Sequence, residues 1–183
     1  MQKEYKVNKK KQICHMQKER YLKMSDEQLE EMINEITKGQ RFIKFQISQI
    51  KSGLECGLSM EQVQVYAKPK YNFLQMEQIR LGFEQGLSEE QVQMYTDSEF
   101  ACTQMEEIRE GIRNGLTIEQ IQFYANPKFV WEQMREIRLG FEHGLSIKSV
   151  QLYAKPEFCA FRDCNQMEAI RLDLEILKRH HLI

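Results

Sequence analysis

Four arginines recur at one place in a periodic chain, Arg80, Arg109, Arg138 and Arg171, with Lys51 at the matching place before them. A row of this kind could follow nucleic-acid phosphates or an extended acidic peptide, because a guanidinium presents planar, bidentate donors to either. A second basic group lies near the N-terminus. Residues 1–24 hold eight Lys/Arg, including Lys9, Lys10 and Lys11, against Glu4 and Glu19. The whole chain carries −1, so the remainder is about −7. A basic arm on an acidic body can reach nucleic acid or an acidic protein surface, and short basic ends also occur simply as solvated tails. The arginines have a competing reading of their own. Glu77 and Glu106 precede theirs by three residues, while Glu84, Glu142 and Glu175 follow by four, the spacings of helix-surface ion pairs.

Other candidate chemistry is weaker. Tyr66, Tyr95, Tyr124 and Tyr153 could stack bases or peptide side chains. Each follows a Val or Ile by three residues, which places the rings on an apolar face, in the core, with hydroxyls reaching its edge. Gln64, Gln93, Gln122 and Gln151 could make a polar contact row, but they read more simply as exposed helix formers. Cys159, Cys164, His180 and His181 lie close together in sequence, yet their spacing matches no zinc knuckle. There is no GxSxG, HExxH or glycine-rich phosphate loop, so the chain is expected to be no enzyme and to need neither metal nor cofactor.

The elements that must hold these side chains come from a 29-residue repeat. Units open at Gln46, Gln75, Gln104 and Gln133, and a half unit follows 33 residues later at Gln166. Periods of this length signal stacked supersecondary units. Met76, Ile79 and Phe83 form one helical stripe, repeated by Met105, Ile108 and Ile112 and by Met134, Ile137 and Phe141. Each stripe ends at Gly86, Gly115 or Gly144, residues suited to a left-handed C-terminal cap, and a leucine follows. That describes a long helix of about four turns. Ser59, Ser88, Thr117 and Ser146 are then placed as N-caps, and Gln62, Gln91 and Gln120 complete capping boxes. Ser149 breaks the fourth box, so that short helix should be less well anchored.

Pro69, Pro127 and Pro156 share one position and are expected in the first turn of the next helix, with Asp97 and Asn126 as N-caps before it. Gly53, Gly82, Gly111 and Gly140 recur inside the long helices, at a cost of about 1 kcal/mol each relative to alanine. Close approach by a neighbouring helix would account for them. Asp173 and Leu177 replace the two glycines of the half unit, so its helix should run on towards Ile183 as a terminal cap. At the other end, Ser25 and Gln28 form a capping box for a helix that stops at Gly39.

Five cysteines without a disulfide-like pattern, with Cys56 and Cys102 expected as buried thiols in helices, suggest a reducing, cytoplasmic setting. No apolar run has the length of a membrane span.

The pattern QMxEIRxGxExGLSxEQVxxYAxPxF, spread over residues 46–175, resembles tandem short repeats in uncharacterised proteins of Firmicutes, including proteins encoded on phages and conjugative elements. The resemblance implies an all-helical repeat in a bacterial mobile-element setting, and it transfers no active site. The expected architecture is an all-α, right-handed-type αα solenoid of about four repeats with capping helices, as one domain from 25 to 183 behind the basic segment 1–24. The expected function is a scaffold that binds another macromolecule, foremost a protein. The alternatives are nucleic-acid binding through the basic arm and inhibition of a host defence nuclease.

Overall fold

The computed structural model describes residues 18–158 and 164–182. Among them it is all helical, with neighbouring helices packed on one another. The chain divides into two compact units, residues 1–92 and 93–183. Lys9, Lys10, Lys11 and Cys159 lie outside the described residues.

The first unit contains α1 (Asp26–Thr37), α2 (Lys44–Glu55), α3 (Met60–Tyr66) and α4 (Phe73–Glu84). Residues 18–22 are also helical, and the Tyr21 hydroxyl donates to the Leu58 carbonyl at 3.4 Å. Part of the basic N-terminal segment is thus docked. The Ser25 box forms as its sequence requires: the Gln28 amide donates to Ser25 Oγ, and the Ser25 amide returns to Gln28 Oε1. The long helices α2 and α4 pack side by side, with α3 against both. The next short helix, α5 (Glu89–Gln93), falls at the sequence junction between the units.

The second unit repeats this plan with α6 (Cys102–Arg113), α7 (Ile118–Tyr124), α8 (Trp131–Glu142), α9 (Ile147–Val150) and α10 (Cys164–Arg179). Here α8 packs against α6 on one side and α10 on the other, with α7 and α9 also against it. The long helices α2, α4, α6 and α8 have twelve residues each, a little over three turns. The fourth short helix has four residues; the Ser149 amide donates to Ser146 Oγ, but the Ser149 side chain reaches only the Ser146 hydroxyl and returns no bond to the Ser146 amide as glutamine does. α10 runs unbroken through Asp173 and Leu177, as a helix freed of both glycines should.

The glycines show how the layers lock. Gly57, Gly86, Gly115 and Gly144 have φ between 78° and 88°, a left-handed conformation that disfavours any side chain. After α8, Leu145 N–H bonds Gly140 O and Gly144 N–H bonds Phe141 O, the paired bonds of a Schellman cap. The helical glycines serve a different purpose. A methyl group at Gly53, Gly111 or Gly140 would overlap the hydroxyl of Tyr66, Tyr124 or Tyr153. The close neighbour is therefore a tyrosine, at the end of the short helix that follows for Tyr66 and Tyr124 and in the turn just after it for Tyr153.

Each of these hydroxyls donates to a carbonyl one turn before its glycine: Tyr66 to Gln49 at 3.2 Å, Tyr124 to Glu107 at 3.1 Å and Tyr153 to Glu136 at 3.2 Å. The tyrosine row is core, as expected, but its hydroxyls end against helix backbone inside the fold and not at an edge. Burial pushes all four phenols well above their usual pKa. Tyr95 is the exception in bonding: its buried hydroxyl has no hydrogen-bond partner.

Three expectations need correction. The prolines do not enter helices. Tyr71 N–H bonds Lys68 O, Phe129 N–H bonds Asn126 O, and Phe158 N–H bonds Lys155 O, so each proline occupies the second place of a β-turn before the helix. Asp97 and Asn126 are likewise no helix caps. Their Oδ1 atoms accept from Glu99 and Lys128 amides, two residues on, as Asx turns. The thiols are not buried either, since Cys56 is exposed beyond α2 and Cys102 is half-buried.

What caps three of the long helices is a glutamine that begins each repeat. Ile43, Ala101 and Val130 have no side-chain acceptor, and their amides donate instead to Oε1 of Gln46, Gln104 and Gln133. The other end of each amide holds the proline turn that closes the same repeat. Gln46 Nε2 donates to Tyr71 O at 2.6 Å, Gln104 Nε2 to Phe129 O at 2.5 Å, and Gln133 Nε2 to Lys155 O and Pro156 O at 3.2 Å. One side chain with both donor and acceptor ends thus ties the start of a long helix to the turn that closes its repeat.

Candidate binding surface

The arginine row is present within each unit, and it points inward. In the second unit Arg138 Nε donates to Glu107 on α6 at 2.9 Å, and its Nη1 donates to Glu142 on its own helix at 2.7 Å. Arg171 repeats the bridge from α10, with Glu136 on α8 at 2.9 Å and Glu175 at 2.6 Å. In the first unit Arg80 reaches Gln49 at 3.0 Å and Glu84 at 2.5 Å. Arg109 is buried and pairs with Glu110 at 3.0 Å. None of the four side chains is more than 12% exposed, and Arg80, Arg138 and Arg171 sit in the seams between helices rather than on an outer face.

The pairs at i+4 were readable from spacing. The interhelix bridges were not, although their signal existed in the repeated Gln49, Gln78, Glu107 and Glu136. A third residue completes each seam: Asn114 donates to Glu142 at 2.9 Å, His143 contacts Glu175 at 2.8 Å, and the Cys56 thiol faces Glu84. Although Cys56 is exposed as a residue, partial desolvation of its thiol pushes it up, and the Glu84 carboxylate adds to it. Burial also raises Glu107, outweighing the Arg138 guanidinium beside it. Glu175 goes the other way. Its burial would raise it, but His143 and Arg171 together hold it below the usual carboxylate range.

The outer face of the long helices carries residues that differ from copy to copy. In the first unit Phe45 and Phe73 lie with ring centres 5.3 Å apart, and Phe45 and Leu74 are exposed. In the second unit a cavity of about 290 Å³ opens between α6 and α8, lined by Thr103, Glu106, Glu107, Trp131 and Arg135. That volume is at the small end of ligand pockets and suits a single anchoring side chain. Trp131, the one tryptophan of the chain, is 38% exposed there. Arg135 follows it by four residues on the same helix face, and Glu106 stands exposed opposite. An aromatic wall with both charges at its rim is the make-up of a protein-contact anchor.

The sequence drew attention to the repeated residues, and therefore passed over Trp131 and Phe45, which break the repeat. Among the described residues no three metal-ligating side chains come together, and no helix is long and apolar enough to cross a membrane. Compared with protein-family models, with curated proteins and with solved structures, the chain finds no match in any of the three.

Proposed function

We propose that this chain is a non-enzymatic scaffold, an αα solenoid of about four 29-residue repeats, that binds another protein through the outer face of its long helices. The Firmicutes repeat resemblance fits such a scaffold. Support for the solenoid comes from the same glutamine and tyrosine bonds recurring in each unit, and from a repeat spacing that stays at 29 residues from Gln46 to Gln133. The observation that carries the binding role is half-exposed Trp131 beside Arg135 in the α6–α8 cavity. Aromatic and arginine side chains in a partly enclosed site dominate protein-interface energies.

Affinity capture from the native host tests it, with wild type beside Trp131→Ala and Arg135→Glu. A protein retained by wild type and lost by both folded variants is the expected result. Equal capture by all three would reject this surface. Nucleic acid as the partner would instead show as binding to random DNA or RNA that falls steeply with salt and vanishes on removal of residues 1–17.

A further inference from the structure

The inner and outer faces of α10 differ in an informative way. Met167, Arg171 and Leu174 form the inner stripe and are buried in the second unit. About a third of a turn around the helix runs a second stripe, Glu168, Leu172, Ile176 and Arg179, all exposed, with Leu172 at 43% and Ile176 at 46%. Another repeat in register cannot be what covers the end of this helix. Asp173 stands where Gly140 admits a tyrosine hydroxyl, and Ala169 stands where Glu136 receives an arginine.

The stripe is complementary to itself when reversed. Its N-terminal end is acidic, its C-terminal end is basic, and its middle is two branched aliphatic side chains of equal reach. We infer that α10 is a dimer interface that takes a second copy of this chain, with the two helices antiparallel and centred near residue 174. In that arrangement Leu172 packs on Ile176 of the second copy, and Glu168 meets Arg179 of the second copy at both ends. The seam is about 16 Å long from the helical rise. It is isologous, so one packed pair and one ion pair each occur twice. Glu175 and Lys178 are not required, since they already bond Arg171 and the His143 and Gly144 carbonyls.

Acid at the start and base at the end of a helix also suit its dipole, and a charge exchange separates the two explanations. Sedimentation velocity on the full chain, up to about 0.5 mM, should show a reversible monomer–dimer equilibrium. Leu172→Glu and Ile176→Glu should each weaken it at least about tenfold while leaving the helical circular dichroism unchanged. Glu168→Lys and Arg179→Glu should each weaken it singly, and the double exchange should restore it. A wild-type chain that stays monomeric throughout overturns the inference. So does a dimer indifferent to both glutamate variants, or a double exchange no better than either single change. Loss of the dimer in folded variants would leave the Trp131 surface free to be tested on its own.

Discussion

At the scale of single residues, several of the repeated side chains satisfy a buried backbone group or a buried charge. Tyr124 illustrates the first. Its hydroxyl occupies the space left by Gly111 and bonds the Glu107 carbonyl. Tyr124→Phe should therefore lower stability by about 1 kcal/mol, the net worth of such a bond. Tyr95→Phe should be nearly neutral, because that hydroxyl has no partner to lose. Urea titration of the two variants side by side checks the difference. Glu175 illustrates the second case. Its folded pKa is held below its ordinary value, so the unfolded chain binds more protons and stability falls with falling pH. The contribution is complete above the ordinary value near 4.5 and is lost as pH falls through the lower folded value. Glu175→Gln should accordingly flatten the acid limb of Tm against pH, with its destabilisation greatest at neutral pH. A variant whose Tm falls as steeply with acid as wild type would contradict this.

At the scale of the element, a helix and its neighbour are matched in shape. Gly140 is helical and could in isolation be alanine, which would favour the helix by about 1 kcal/mol. In the folded chain the added methyl would strike the Tyr153 hydroxyl. Gly140→Ala should thus destabilise by about 1–3 kcal/mol, as overpacking does. Combining it with Tyr153→Phe should recover part of that loss, because the offending oxygen is gone. A double-mutant cycle measures the coupling, and simple additivity would refute the match. The sequence showed that the glycine position was special, since four copies held it in register. It did not show why, because the tyrosine that fills the space lies 13 residues away, beyond the end of the long helix. The long-helix caps were hidden for a related reason. Ile43, Ala101 and Val130 do not read as caps, and Gln46, Gln104 and Gln133 act back on their amides from within the helix.

At the scale of the whole molecule, stability in each unit depends on every long helix having a neighbour. Removing residues 164–183 would strip Met167 and Leu174 from α8 and leave the Glu136 carboxylate without Arg171. The two apolar side chains alone contribute about 4 kcal/mol. For a chain of this size that corresponds to roughly 10 °C in Tm, readable by calorimetry; an unchanged Tm would show that α10 is not a structural cap. Local features were legible without coordinates. Schellman glycines, Ser/Thr–Gln boxes and the unbroken cap through Asp173 and Leu177 each depend on residues within one or two turns of one another, and sequence spacing determines such contacts directly. What only the tertiary structure decided was direction. The spacing put Arg80, Arg109, Arg138 and Arg171 in a row, but a helical row can face solvent or a neighbour. Packing turned it inward, because Glu107 and Glu136 on adjacent helices offered partners that cannot be seen from within one helix. The same packing left Trp131, Leu172 and Ile176 outside, where burial is settled by which surfaces meet and not by residue type alone.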